Sequence, residues 1–154
     1  MCIRDRGEFS HQREVGAGAQ LFAKIQGQLA NGALLDSEQF SGGGLGTVRG
    51  YLESEAVGDN AVFGALELRS PPLGRGAWLT EWRVYLFGDA GMLKIYHALP
   101  QQDAHAHLAS YGIGSRFRVR DELNGSLDAG LPTVTQGQTK ANDLRFTFRL
   151  WADF

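Results

Sequence analysis

The chain has 154 residues, a net charge of −2, 21 glycines, four prolines and one cysteine. At that length one domain is the default. The charge balance excludes the basic stripe that nucleic acid requires, and Cys2 alone cannot form an internal disulfide. No run of about eighteen apolar residues exists to form a membrane-spanning helix, whereas a membrane barrel needs only strands of about ten residues.

Residues 1–6 (MCIRDR) lack the apolar centre of a signal peptide and do not join the pattern that follows. They resemble an artefactual N-terminus translated from adaptor sequence and are set aside, so the chain is expected to be a piece whose true start lies upstream. Residues 7–14 are read as the stub of a strand. From there, apolar residues recur at every second position, the strand period, and not at every third or fourth. Ala19, Leu21, Ala23, Ile25, Gly27 and Leu29 oppose Gln20, Phe22, Lys24, Gln26 and Gln28. Val62, Gly64, Leu66 and Leu68 oppose Phe63, Ala65, Glu67 and Arg69. Trp78, Trp82, Val84 and Leu86 oppose Glu81, Arg83, Tyr85 and Asp89. Tyr111, Ile113, Phe117 and Val119 oppose Gly112, Gly114, Arg116, Arg118 and Arg120. Leu123, Leu127, Ala129 and Leu131 oppose Asn124, Ser126 and Asp128. The last residues alternate most regularly: Leu144, Phe146, Phe148, Leu150, Ala152 and Phe154 against Asp143, Arg145, Thr147, Arg149, Trp151 and Asp153. Six antiparallel strands in meander order are predicted near 17–30, 61–70, 78–91, 107–120, 123–132 and 143–153.

The connections alternate between long (31–61, 92–107, 132–142) and short (71–77, 121–122), as in outer-membrane barrels, with short periplasmic turns and long outer loops. A soluble sheet would need a second layer over its apolar face, and no helix or spare strand remains to supply one. The polar face, with Lys24, Glu67, Arg69, Glu81, Arg83, Asp89, Arg116, Arg118, Arg120, Asp128, Arg145, Arg149 and Asp153, then faces a wet lumen. The fold class predicted is all-β: the C-terminal part of a transmembrane antiparallel barrel, spanning residues 7–154. Six or seven strands leave two unpaired edges, so the chain alone is not expected to form a secretion pore.

The longest connection contains residues 37–51 (SEQFSGGGLGTVRGY), followed by Glu53, Glu55, Gly58 and Asp59. A glycine-rich loop can cradle phosphate, but no Lys-Ser/Thr follows and the spacing is not G-x-G-x-x-G. This stretch resembles the L6 loop of the BamA-type outer-membrane superfamily, and most closely that of the two-partner secretion transporters (TpsB class, the ShlB/FhaC/HecB haemolysin secretion/activation family). Residues 84–91 (VYLFGDAG) resemble the family's F-x-D-x-G strand motif, with Asp89 as its acid. The strand ending at Phe154 resembles the C-terminal signal read by the barrel assembly machinery. The resemblance implies a sixteen-stranded barrel preceded by two POTRA domains and a plug helix. Such a protein lies in the bacterial outer membrane, in contact with its lipid, and passes an unfolded exoprotein outward. No bond is made, so the resemblance implies no catalytic residue and no cofactor or metal.

The functional loop motif is then Val48, Arg49, Gly50 and Tyr51, and a guanidinium fork suits a carboxylate. If the loop folds back into the lumen, Arg49 is expected to pair with Asp89 and pin the loop to the wall. The lumen-facing set is Glu67, Arg69, Glu81, Arg83, Arg116, Arg118, Arg145 and Arg149. His97, His105 and His107, with Asp103, are placed in or beside one long loop and read as surface residues, because a zinc site needs further ligands on a rigid frame. Two other functions stay open on the sequence: an insertase of the same superfamily, which more POTRA domains upstream would mark, and a soluble β-sheet binding domain.

Overall fold

A computed structural model describes residues 3–74, 76, 78–120 and 122–152. The strands are β1 (Arg4–Gly16), β2 (Ala19–Ala30), β3 (Phe40–Gly42), β4 (Ala56–Gly58), β5 (Asn60–Arg69), β6 (Leu79–Lys94), β7 (His105–Val119), β8 (Leu123–Pro132) and β9 (Arg145–Ala152). Seven of them form one open sheet in the order β1-β2-β5-β6-β7-β8-β9, every neighbouring pair antiparallel. This is the meander expected from the alternation, and the fold is all-β, consistent with part of a barrel. The stub expected at 7–14 is a full strand, and it includes Arg4, Asp5 and Arg6.

The long connections 31–59, 95–104 and 133–144 all leave one end of the sheet, and 17–18, 70–78 and 120–122 all turn at the other. The sorting is by end more than by length, because 70–78 is nearly as long as 95–104. Within the longest connection β3 and β4 pair as a separate small hairpin, Phe40 opposite Gly58 and Gly42 opposite Ala56. Three-residue strands are too short for alternation to reveal.

The two faces differ as the period-two pattern requires. On the outer face Ile25, Leu29, Val62, Leu66, Leu68, Trp82, Leu86, Met92, Tyr111, Ile113, Leu127, Phe146, Phe148 and Leu150 stand exposed. A row of exposed side chains this apolar has no place in water and matches a lipid-facing wall. The inner face carries the 31–59 loop. At the long-loop end the loop's Val48, Tyr51 and Ala56 pack with Ala61, Phe63, Leu93, Ala106 and Leu108 of the wall, and Phe40 joins them. Phe40 stacks on Phe63 with ring centroids 5.5 Å apart. Nearer the short turns the inner face is polar.

Candidate functional site

Val48 is fully buried in the small core, so the next residue is held at the junction between the apolar and polar halves of the inner wall. There the Arg49 backbone N–H and Nε both donate to Asp89 Oδ2, at 3.0 and 2.8 Å, and Nη2 donates to Oδ1 at 2.8 Å. Nη1 donates to Glu67 Oε1 at 2.6 Å and lies 3.6 Å from Asp128 Oδ1. One guanidinium thus meets carboxylates from β5, β6 and β8. Three strand spacings of about 4.8 Å separate β5 from β8, so the wall must curve around Arg49 for Glu67 and Asp128 to reach one nitrogen. The Phe87 ring closes a further side, with Arg49 Cζ 3.8 Å from its centroid.

The Arg49 side chain is 8% exposed and that of Asp89 is fully buried. Burial opposes the Arg49 charge, but the hydrogen bond and charge of Asp89, with the charge and hydrogen bond of Glu67, outweigh it and hold the guanidinium above its ordinary pKa. A bidentate fork with a third arm is a geometry that lysine's single ammonium cannot reproduce.

The rest of the motif fixes the loop sideways. Gly50 has φ +95°, and a Cβ there would come within 3.2 Å of the Gly130 carbonyl carbon. A Cβ on Gly130 would lie 2.9 Å from Gly50 Cα, so loop and β8 touch backbone to backbone. The Tyr51 hydroxyl donates to the Val134 carbonyl at 2.6 Å and lies 3.1 Å from that of Ala109, tying the loop to β7 and to the 133–144 loop. Glu55 accepts from Thr139 Oγ1 at 2.7 Å and from the backbone N–H of Gln138 and Thr139. Burial pushes its carboxyl up, but these donors prevail and hold it below the usual carboxylate range. At the root of the loop, buried Asp59 accepts from the N–H groups of Leu34 and Tyr96, both at 2.8 Å, and from Gln39 Nε2 at 3.2 Å. Burial again pushes up, and those donors again win, so Asp59 is held below its ordinary pKa. Arg4 and Arg6 of β1 donate to the Glu38 carbonyl from the sheet's edge, at 3.2 and 3.1 Å.

The structure distributes the remaining inner-face residues unevenly. Glu67 also accepts from Arg69 Nε and Nη2, at 2.8 and 2.6 Å, so it bridges two arginines. Glu81 pairs with Arg83. Arg118 Nε donates to Asn124 at 3.0 Å. Arg116 lies over the Tyr85 ring and Arg149 over the Trp151 ring, while buried Nε of Arg116 and of Arg145 has no hydrogen-bond partner among the described residues. Of these arginines only Arg69 forms an ion pair with a carboxylate of the Arg49 cage among the described residues, at Glu67. Phe154 lies outside the described residues. His97 lies in the 95–104 connection, while His105 and His107, expected in or beside that loop, sit within β7 opposite Lys94 and Met92, because β7 starts two residues before the predicted 107. No cluster of three metal-ligating side chains occurs among the described residues.

Sequence reasoning placed Glu67 and Asp128 on the polar face without joining them to Arg49. A signal for Asp128 was present: Asp-Ala-Gly occurs at 89–91 and again at 128–130. In both copies the acid meets Arg49, and in the second the glycine admits Gly50. The Tyr85 hydroxyl donates to Asp128 Oδ1 at 2.6 Å and holds that carboxylate in place. Glu55, Asp59 and Phe87 lie in the two motifs the sequence singled out, but nothing in the sequence indicated which partners they would meet.

A family model described as haemolysin secretion/activation protein ShlB/FhaC/HecB matches residues 6–117. That span carries the loop, Glu67 and Asp89. No curated protein matches the chain.

Proposed function

The chain belongs to the ShlB/FhaC/HecB haemolysin secretion/activation family, whose members are bacterial outer-membrane transporters, and from that premise we propose that it is the C-terminal part of a barrel that carries a large exoprotein outward. In this reading the seven-stranded sheet supplies part of the wall, β1 and β9 join further strands, and the 31–59 loop occupies the lumen. The observation that carries it is Arg49, buried on the inner wall between Asp89, Glu67 and Asp128. A solvated outer loop would have no reason to send its one conformationally fixed arginine between three wall carboxylates. A loop that governs the space inside a pore must be held there. The proposed role makes no covalent bond, and the barrel's partners are the exoprotein, the surrounding lipid and the machinery that assembles it.

The test is secretion of the cognate exoprotein by the full-length transporter carrying Arg49→Ala or Asp89→Ala. The expected result is loss of secretion with the barrel still assembled in the outer membrane, seen as heat-modifiable mobility on gels. Normal secretion by both variants would overturn the reading.

A further inference from the structure

The outer face of β2 and of β5 through β9 is apolar or small at nearly every described position, and its only basic side chains among the described residues are Lys94, His105 and His107. They are not scattered. Lys94 is directly opposite His105, and His107 directly opposite Met92, on the β6–β7 pair. Directly opposed Cβ atoms lie about 4.5–5.5 Å apart and diagonal ones about 7–8 Å, so the three form one patch. Their inward neighbours Leu93, Ala106 and Leu108 are buried, which fixes the outward direction of all three. Lys94 Nζ lies 5.5 Å from the centre of the Tyr96 ring, and no carboxylate is within ion-pair distance of it among the described residues.

From Trp82 to Met92 the outward residues are Trp82, Val84, Leu86, Gly88, Ala90 and Met92. That climb is about 33 Å at about 3.3 Å per residue, and a tilt of about 40° reduces it to about 25 Å, the height of the apolar band in such barrels. Trp82 then marks one interface, while Lys94 and His105 lie one step beyond the other, at headgroup level beside a tyrosine. This is the long-loop end, which faces outward in an outer-membrane barrel. A charge at the midplane costs about 2–4 kcal/mol and near the interface about 0–1 kcal/mol, so the position is tolerated. Tolerance alone does not explain why three basic side chains share one corner of the β6–β7 pair while the other described outward positions of β2 and of β5 through β9 carry none; the further charged or imidazole side chains on this face, Asp5, His11 and Arg13, lie on the edge strand β1.

We propose that Lys94, His105 and His107 bind the phosphate of an outer-leaflet glycolipid, with its acyl chains lying on the adjoining apolar wall. An ammonium and imidazole N–H groups are donors to phosphate oxygens. Met92, Val62 and the small Ala90 and Ala109 continue the same face toward the membrane centre, so headgroup and chain sites are contiguous. The inference uses only the outer-membrane location and the sheet's orientation, and it is independent of what passes through the lumen.

The test uses the full-length protein in detergent and native mass spectrometry, titrating diphosphorylated lipid A and the same lipid stripped of its phosphates. The wild-type protein is expected to bind the phosphorylated lipid at least tenfold more tightly. Lys94→Gln/His105→Gln/His107→Gln should remove that preference and leave binding of the stripped lipid unchanged. Lys94→Gln alone should reduce the preference severalfold and Lys94→Arg should retain it, so the single variants decide the matter if the triple variant does not assemble. Equal binding of both lipids by the wild-type protein, or an unchanged preference in Lys94→Gln and the triple variant, would overturn the proposal. Loss of secretion in the Arg49 variants bears on the loop alone and leaves this outcome untouched.

Discussion

The two halves of the inner wall solve different problems. At the long-loop end the wall offers Phe63, Leu93 and Leu108, which are nearly inaccessible because the 31–59 loop covers them. At the short-turn end the wall offers Arg83, Arg116, Arg118 and Arg149, and no described segment lies over them. Arg49 sits on the boundary. The apolar half gives the loop a reason to stay, since burial there is favourable wherever the loop lands. It cannot choose one position among many, because hydrophobic attraction has no direction. The cage of three carboxylates does have direction, and it selects the register. Removing direction and removing burial should therefore have different consequences.

The largest effect is expected at the cage. Arg49→Ala leaves Asp89, Glu67 and Asp128 without a shared cation, and breaking a desolvated pair from one side costs about 3–5 kcal/mol. The loop should lose its register while the apolar half still attracts it. Limited proteolysis should find new cuts within residues 41–55, with the barrel intact. Arg49→Lys should behave almost as badly, since an ammonium cannot satisfy both oxygens of Asp89 and reach Glu67. A lysine variant with wild-type protection would mean that charge alone holds the loop.

Next comes the contact that needs no charge. Gly130→Ala puts a methyl carbon 2.9 Å from Gly50 Cα, where only backbone can yield. Overpacking of this kind costs about 1–3 kcal/mol. The loop should lift from β8, with the 133–144 loop loosened because Tyr51 ties both together. Protease protection of residues 133–144 should fall more than in Arg49→Ala. Equal protection would mean that the cage fixes the loop without help from β8.

These contrasts also show what could be read from the chain. The strands were legible because side-chain alternation is a local property, written in each segment. The Arg49–Asp89 contact was expected from the motif and the resemblance. The other two carboxylates were not joined to it, because their approach depends on curvature across β5 to β8, which no single strand records. The covered apolar half was invisible for a related reason: Phe63 alternates as a polar-face residue should, and only the folded loop reveals its burial. The small β3–β4 hairpin and the Glu55–Thr139 link depend on loop conformation, which has no period to detect.

A smaller effect should follow from the loop-to-loop link. Glu55 has a folded pKa below its ordinary value, so the unfolded or undocked state binds the proton more readily. Its contribution is therefore present above the ordinary glutamate pKa and is lost as pH falls through the depressed folded value. Glu55→Gln should weaken protection of the Gln138 and Thr139 amides at neutral pH. At a pH below the folded value the variant and wild type should exchange alike, after correction for intrinsic rates. A Glu55→Gln defect that persists unchanged into acid would show that the link is steric and not ionic.

The smallest effect belongs to the uncovered half, and it tests the comparison itself. Arg149 is exposed, has no ion pair among the described residues, and lies over the Trp151 ring at 5.4 Å. An exposed cation over an aromatic ring contributes little against water. Arg149→Gln should change the stability of the assembled barrel by no more than about 0.5 kcal/mol, read from the temperature at which its heat-modifiable band is lost. The loop should keep its proteolytic protection, because Arg149 donates to nothing that holds it. If instead Arg149→Gln exposes residues 41–55 as Arg49→Ala does, then the two halves act as one electrostatic unit. The cage would then draw its strength from the arginines below it, and not from the three carboxylates alone.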